Sequence, residues 1–294
     1  MNQIKGKIIK GIGGFYYVNT AEGVIECKAR GLFRNKSVMP YVGDNVELEI
    51  SEDGTGYIKK IEKRKNFFIR PPISNVDVLI IVVALANPSP DLMFLDKMLI
   101  QAEYAAVPCV IVFNKCDLLD TNAPNPYEKI YSDLGYRVFT VSTLNGHGMQ
   151  ELKSIIDGKV ISVCGFSGVG KSSILNCLLE TDTQEVGEIS KKLARGKHTT
   201  REVSLIEYKE GSYLADTPGF SSLAIPDEIT KDTLKSYFIE FSNFDSECKF
   251  SDCVHTSPKF CAVCNAVSEG EIHESRYKNY INLYEQLKDK KEWK

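Results

Sequence analysis

A glycine-rich segment in the middle of the chain contains residue types that bind nucleotide phosphates. It reads Gly-Phe-Ser-Gly-Val-Gly-Lys-Ser-Ser from residue 165 to residue 173, between a predicted strand (160–164) and a predicted helix (172–179). Glycines let backbone N–H groups turn toward phosphate oxygens, and the helix N-terminus adds partial positive charge. The segment therefore predicts a phosphate-binding loop. Its candidate ligand contacts are Gly165, Ser167, Gly168, Val169, Gly170, Lys171, Ser172 and Ser173.

Two side chains at the end of this loop have separate predicted roles. Lys171 is expected to reach the β- and γ-phosphates, and the Ser172 hydroxyl is expected to bind Mg²⁺. The Mg²⁺ ion bridges the same phosphates and neutralises charge as the γ-phosphoryl group departs. The loop therefore predicts both phosphate binding and phosphoryl transfer.

A second motif, Asn114-Lys115-Cys116-Asp117, predicts which base is bound. It follows a predicted strand (109–113), and a carboxylate at position 117 can accept hydrogen bonds from guanine N1–H and the exocyclic amine. Adenine offers no such pair of donors, so a site built for them rejects it. Ser142, after the next predicted strand (137–141), is expected to support the base. Asn114, Lys115, Asp117 and Ser142 are the candidate base-side residues of a GTP or GDP site.

The order of these motifs along the chain is unusual. The guanine motif at 114–117 precedes the phosphate loop, and Asp216-Thr217-Pro218-Gly219 comes last. In an ordinary GTPase the guanine motif comes near the end of the domain. The order therefore predicts a circularly permuted GTPase domain, in which the nucleotide-sensing segment lies at the domain's end.

Residues after the phosphate loop are expected to complete the Mg²⁺ shell. Asp216 is predicted to hold Mg²⁺ through water, and the Gly219 N–H to meet the γ-phosphate. A threonine between the loop and Asp216 would bind Mg²⁺ when triphosphate is present. Thr200 is favoured and Thr199 is the alternative.

The residue that orients the attacking water is not the usual one. Phe220 stands where a Ras-like GTPase carries its water-orienting glutamine, and an apolar ring cannot orient water. Slow intrinsic turnover is predicted, with acceleration when a partner orders the loop that carries His198. We hypothesise that His198 orients or polarises the water, with Lys171 and Thr200 as the other catalytic residues. A loop histidine that is only exposed or touches a partner is the alternative.

Four potential metal ligands are clustered near the C-terminal end. Three thiolates and one imidazole form a complete tetrahedral set for Zn²⁺, and such a closed site predicts a structural ion that folds a small module. Clustered thiols without a metal are one alternative, and Cys264 competes with Cys261 as a ligand. The predicted ligands are Cys248, Cys253, His255 and Cys261.

The remaining pattern predicts a multidomain chain. Residues 1–70 alternate apolar and polar residues between glycines, which favours an OB-fold-like β-barrel; another small barrel that serves as a spacer is the alternative. This segment has 13 Lys and Arg against 8 Asp and Glu, a surplus compatible with nucleic-acid binding, with a basic surface that contacts only solvent as the alternative. Residues 71–222 alternate apolar strands with helices, which predicts the α/β GTPase domain. Residues 223–294 predict a mainly helical zinc-binding module.

No apolar run approaches the roughly twenty residues that cross a bilayer, and the N-terminus lacks a signal-peptide pattern. A cytoplasmic protein without a membrane partner is expected, as a monomer.

The combination resembles the ribosome small-subunit-dependent GTPase A family, also called RsgA, over nearly the whole chain. The resemblance implies an OB-fold, a permuted GTPase domain and a zinc module in that order. It also implies late maturation of the small (30S) ribosomal subunit, with contacts to its rRNA, and GTP hydrolysis that the subunit stimulates and that drives release. Gly168 is not the asparagine that would suggest potassium-assisted hydrolysis. The motifs that carry the resemblance are Asn114–Asp117, Gly165–Ser173, Gly196–Thr200, Asp216–Phe220 and the four zinc ligands.

Two other classes remain open from the residues. A signalling or membrane-trafficking GTPase would act on protein partners, but lipidation signals are absent and a barrel and a metal module are present. An RNA-binding protein could use the nucleotide only to stabilise its fold. GTP turnover with and without small ribosomal subunits discriminates these classes.

Overall fold

The N-terminal segment forms a closed barrel of five strands. In this computed structural model the strands are β1 (Ile4–Ile12), β2 (Phe15–Thr20), β3 (Gly23–Ala29), β4 (Asn45–Ile50) and β5 (Gly56–Ile61). β1 pairs antiparallel with both β2 and β4, and β3 pairs parallel with β5. The ring closes through the antiparallel pairs β2–β3 and β4–β5, which confirms the predicted OB-fold-like barrel. The structure describes residues 4–29, 39–51, 55–69, 71–119, 124–179, 203–216, 224–257 and 259–288.

The central domain is a sheet with helices between its strands. It follows a short hairpin of β6 (Phe67–Phe68) and β7 (Ile73–Ser74). The strands of the sheet are β8 (Val78–Ala84), β9 (Cys109–Asn114), β10 (Arg137–Thr140), β11 (Val160–Cys164), β12 (Ser204–Lys209) and β13 (Ser212–Asp216). Their order is β10-β9-β8-β11-β13-β12, and the pairs are parallel except β12–β13. The helices are α1 (Leu92–Tyr104), α2 (Glu128–Ser132), α3 (Met149–Lys153) and α4 (Lys171–Leu178).

Two details differ from the pattern of the sequence. The sequence has a helical pattern that runs from Leu92 to Ala106, but α1 ends at Tyr104, because Ala106 has a left-handed φ of 51° and Pro108 follows. Strand β12 was not predicted. It is a six-residue edge strand that joins the sheet by pairing antiparallel with β13.

The permutation is visible in the sheet. β11, which leads into the glycine-rich loop, lies between β8 and β13, and β9 lies on the other side of β8. The carboxyl ends of parallel strands meet at one edge of a sheet, where ligands of α/β proteins bind. The loop and the guanine motif therefore reach the same edge although the chain visits them in reversed order.

The barrel and the central sheet are continuous. β1 pairs antiparallel with β12 through Lys10 and Ser204. The Asn19 amide adds hydrogen bonds to Glu207 at 2.7 Å and to the Tyr213 hydroxyl at 2.9 Å. These contacts attach the barrel to the edge of the central sheet.

The C-terminal segment is mainly helical, as predicted. Three 3-10 turns (Leu234–Tyr237, Ile239–Asn243 and Asp245–Glu247) precede α5 (Ala262–Glu269) and α6 (Glu274–Lys288). Their apolar core includes Phe238, Phe241 and Tyr280, together with Ile100 from α1. Within the described part of the chain, no helix has the length and apolar character needed to cross a membrane.

Candidate functional site

The glycine-rich loop has a backbone that requires glycine at particular positions. Gly165 has a φ of 150°, and a Cβ atom there would lie 2.5 Å from the Val82 carbonyl oxygen. Gly170 has a φ of 95°, and a Cβ atom there would collide with the side-chain amide of Asn114. Positive φ angles and close approach both exclude larger residues. The loop is therefore packed tightly between the end of β8 and the guanine motif.

Lys171 begins α4 directly after the loop. Its ammonium group donates to the carbonyl oxygens of Gly165 at 2.8 Å and Phe166 at 2.7 Å. Burial lowers the pKa of Lys171, while the neighbouring Cys164 acts in the opposite direction. An anion beside this partly buried ammonium group would stabilise its charged form, so the position of Lys171 suits a phosphate ligand.

The guanine motif is hydrogen-bonded to the phosphate loop. Asn114 is 1% exposed, and its amide donates to the Val169 carbonyl oxygen at 2.9 Å. Lys115, with a left-handed φ of 66°, donates to the Gly168 carbonyl oxygen at 2.7 Å and also to Asn87. Asn114 and Lys115 thus hold the phosphate loop in a fixed position relative to the guanine motif. The base side and the phosphate side of the site form one pre-organised unit.

Asp117 and Ser142 lie next to each other at the edge of the sheet. The Ser142 hydroxyl donates to Asp117 Oδ1, and Ser142 itself is fully buried. Backbone N–H groups of Leu144 and Asn145 point at the same hydroxyl, at 3.2 and 3.4 Å. Ser142 therefore orients the carboxylate, a more specific arrangement than the general support for the base that the sequence predicted.

The Mg²⁺ side of the site is only partly described. Ser172 and Ser173 are exposed in the first turn of α4, and Asp216 is the last residue of β13. The side chain of Asp216 lies outside the described part of the structure. His198, Thr199, Thr200, Gly219 and Phe220 also lie outside the described residues.

A cavity of about 330 Å³ lies beside the loop. Its walls come from the end of β8, from the segment that leads into α1, and from loop residues Phe166, Ser167 and Val169. Segment 85–91 was not predicted as part of the site, yet it contributes the Asn87 carbonyl that accepts from Lys115. Its only sequence signal is its place directly after a central apolar strand, the edge at which α/β proteins bind ligands.

The structure brings the four predicted metal ligands together. The ligand atoms of Cys248, Cys253, His255 and Cys261 lie within 4.8 Å of one another. His255 Nδ1 is 3.6 Å from the Cys248 sulfur and 3.4 Å from the Cys261 sulfur, and the two sulfurs are 4.0 Å apart. Usual Zn²⁺ bond lengths at tetrahedral angles require sulfur–sulfur edges of about 3.8 Å and sulfur–nitrogen edges of about 3.6 Å. The donor set and the three distances among Cys248, His255 and Cys261 fit Zn²⁺, and Cys253 lies within 4.8 Å of the other ligand atoms.

Groups around the cluster hold the ligands in place. The far nitrogen of His255, Nε2, faces Asp245 Oδ1 at 3.1 Å, although the ring is not aligned for a full hydrogen bond. Such a carboxylate fixes the orientation of a metal-binding histidine. Backbone N–H groups point at the sulfurs of Cys248 and Cys261.

The competing thiol, Cys264, lies outside the four-ligand group. Its sulfur is 3.2 Å from the Tyr277 hydroxyl and lies near the carbonyl oxygens of His255 and Ser257. Its own backbone N–H points at the sulfur of Cys261. The geometry therefore favours Cys261 over Cys264 as the fourth ligand.

Comparison with known proteins agrees with this geometry. The RsgA GTPase family model matches residues 61–226, and the RsgA N-terminal domain model matches residues 5–58. The chain belongs to the RsgA GTPase family. An RsgA-family protein of Caldanaerobacter subterraneus subsp. tengcongensis, named small ribosomal subunit biogenesis GTPase RsgA, is 42% identical over 99% of this chain and 98% of its own length. A protein of the same name from Agathobacter rectalis is 43% identical over 98% of this chain and 99% of its own length.

Solved structures agree with the fold. YjeQ from Thermotoga maritima superposes with a TM-score of 0.84 at 37% identity and covers 99% of this chain and 100% of its own. YloQ, described as a circularly permuted GTPase, has a TM-score of 0.78 at 34% identity and covers 99% and 96%. The predicted circular permutation of this RsgA-family GTPase is confirmed.

Proposed function

We propose that this GTPase acts in late maturation of the small (30S) ribosomal subunit. It binds the subunit and its rRNA in the GTP state and is released when the subunit stimulates hydrolysis. The proposal is supported by two relatives named small ribosomal subunit biogenesis GTPase RsgA that match along nearly the whole chain. The single structural observation that carries it is the pair of hydrogen bonds from Asn114 and Lys115 to the phosphate loop, which pre-forms one guanine-nucleotide pocket.

We assign the nucleotide contacts as the sequence predicted. Asp117 accepts from the guanine N1–H and amine, and Lys171 donates to the β- and γ-phosphates. Loop N–H groups of residues 165–173 surround the phosphates. When bound, Mg²⁺ would supply positive charge against the phosphate oxygens. Its proposed protein contacts are Ser172, Thr200 and, through water, Asp216, while the Gly219 N–H meets the γ-phosphate.

We propose that hydrolysis depends on a group supplied by the segment before Thr200. His198 is the candidate to orient the attacking water, because Phe220 cannot. In the subunit-bound state His198 would be positioned for this role and turnover would rise. His198→Ala that retains full subunit-stimulated turnover would exclude this role.

The two outer modules are proposed to bind rRNA together. On the barrel, exposed Phe15 of β2 lies under Lys28 of β3, with the ammonium 5.2 Å from the ring centroid. An aromatic ring beside a cation on strands 2 and 3 suits an OB-fold surface that binds nucleic acid. One structural Zn²⁺ on Cys248, Cys253, His255 and Cys261 would fix the C-terminal module. We assign residues 1–70, 71–222 and 223–294 to the barrel, GTPase and zinc domains.

Release is proposed to follow from loss of the γ-phosphate. In the triphosphate state the Thr200 and Gly219 segments hold one arrangement, and hydrolysis frees them. Because Gly219 is followed closely by the zinc module, the barrel and the zinc module would no longer bind rRNA jointly, and avidity would fall. The protein is proposed to work as a monomer in the cytoplasm.

The test measures GTP turnover of the full-length protein with and without purified small ribosomal subunits. We expect strong stimulation by small subunits and none by large subunits, which serve as the matched control. Cosedimentation with small subunits should require a GTP analogue and fail with GDP. The proposal is refuted if small subunits do not raise GTP turnover. Equal cosedimentation with the GTP analogue and with GDP would favour a protein in which the nucleotide only stabilises the fold.

A further inference from the structure

One helix, α1, lies between the phosphate loop and the C-terminal module. On one face, Phe94 is 2% exposed and its ring centroid lies 4.4 Å from that of Phe166, the second residue of the loop. Both rings line the cavity beside the loop. Asp91 caps the helix by accepting from the Phe94 N–H at 2.8 Å, so the ring sits on a fixed first turn. A shift of the loop therefore acts directly on the start of α1.

The opposite face of α1 is bound to the C-terminal module. Asp96 follows Phe94 by two residues, which turns its side chain about 200° around the helix axis. Asp96 is fully buried and accepts from Arg276 at 2.5 Å and from Asn279 at 2.6 Å, both on α6. The Tyr131 hydroxyl donates to the same carboxylate at 3.0 Å. The carboxylate thus joins α1 to α6.

Arg276 extends this connection into the rest of the module. It is 1% exposed, and it makes two hydrogen bonds, of 2.8 and 2.9 Å, to the carboxylate of Glu240. Ile100, one turn beyond Asp96, is 1% exposed in the apolar core that also contains Phe238. Buried charges that satisfy one another tolerate little displacement, because separation leaves a charge without its partner. The module should therefore follow α1 closely.

We propose that α1 couples the occupancy of the phosphate loop to the stability of the C-terminal module. Nucleotide phosphates that fix Phe166 also fix Phe94, and through the same helix they fix the Asp96–Arg276 contact. This inference rests on the proposed function, since it takes the loop's ligand to be GTP. Helix α1 also meets the chain that follows the Gly219 segment, where the Gln101 amide donates to the Ala224 carbonyl oxygen at 3.3 Å. The proposed route from Phe94 to Asp96 does not use that contact. Coupling of this kind is an interaction free energy between two sites.

Hydrogen exchange on the zinc-loaded, full-length protein tests the coupling. A non-hydrolysable GTP analogue is expected to slow exchange of the α6 amides by about tenfold, within the usual range of coupling between sites. Phe94→Leu should reduce that slowing to less than about twofold. Its affinity for the analogue should stay within about threefold of wild type, because the opened state of the module is rarely populated. Met98→Leu, one turn further along the same helix, is the matched control and should keep the full effect.

A second variant removes the contact at the other end of the route. Asp96→Asn places an amide NH₂ among the donors of Arg276 and Asn279. It should abolish the slowing of α6 amide exchange by the analogue and leave the contact between Phe94 and Phe166 unchanged. Glu274→Gln, which breaks an exposed pair with Lys278 on α6, is its control and should have no effect.

The proposal is overturned if the α6 amides of the wild-type protein exchange at the same rate with and without an analogue that calorimetry shows to be bound. It is also overturned if both Phe94→Leu and Asp96→Asn retain the tenfold effect, since the signal would then pass by another route. Absence of analogue binding would instead refute the proposed function, and the coupling would fall with it.

Discussion

Asp117→Asn is predicted to change the preferred base from guanine to xanthine. In the structure the Ser142 hydroxyl donates to Asp117 Oδ1. In the variant the amide oxygen can keep this donor, so the amide NH₂ faces the exocyclic group of the purine. That NH₂ opposes the amine of guanine, which is itself a donor. It can, however, donate to the carbonyl that xanthine carries at the same position.

The expected loss for GTP has two parts. A hydrogen bond to a charged group contributes about 1.5–3 kcal/mol, and a donor buried without an acceptor costs about 1–3 kcal/mol. Together they weaken GTP binding by about 2.5–6 kcal/mol, which is roughly 10²–10⁴-fold. Xanthosine nucleotides should bind the variant within about tenfold of the wild-type affinity for GTP, since each polar group again has a partner.

Calorimetry with GDP and xanthosine diphosphate on both proteins measures this change. Ser142→Ala is the matched control: it removes the orienting hydroxyl and should weaken GDP by about 1 kcal/mol without improving the xanthosine nucleotide. An Asp117→Asn protein that still prefers GDP, with its fold intact by circular dichroism, would refute the assignment of this carboxylate to the base.

Three further predictions concern the rest of the molecule. Arg276→Met leaves two buried carboxylates without their cation and should lower the free energy of unfolding by about 3–5 kcal/mol, measured by urea denaturation. Cys261→Ser should lose Zn²⁺, measured by a colorimetric chelator, whereas Cys264→Ser should retain it because its sulfur lies outside the four-ligand group. Gly170→Ala should cost about 1–2 kcal/mol from its left-handed backbone alone and should abolish nucleotide binding in calorimetry, because its Cβ meets the guanine motif. Normal GDP affinity in that variant would contradict the packing argument.

The sequence predicted those parts of the site that depend on short local motifs. Gly170 and Lys171 belong to one loop, and the strand before them and the helix after them are local as well. The barrel followed from alternation within short strands. The spacing of Cys248, Cys253 and His255 also sufficed to predict a common ligand set. Each of these signals lies within a few residues along the chain.

What the sequence could not predict depends on contacts between distant segments. Asp96 and Arg276 are 180 residues apart, and nothing near either residue indicates its partner. Each would be expected on an exposed helix surface, since charged residues are rarely buried. The orientation of Asp117 by Ser142 is another such contact, because it depends on how two loops meet at the edge of the sheet.

The pairing of β1 with β12 has a consequence for how the chain can be divided. An unpaired outer strand presents free N–H and C=O groups and invites association with other molecules. Here β1 of the barrel pairs with the start of that strand, through Lys10 and Ser204. A truncated protein that begins after residue 70 would leave β12 uncovered, so it should self-associate at concentrations at which the full chain stays dispersed. Self-association of the truncated protein, measured by light scattering against the full chain, would show that the barrel shields this edge of the central sheet; a truncated protein that stays dispersed would contradict it.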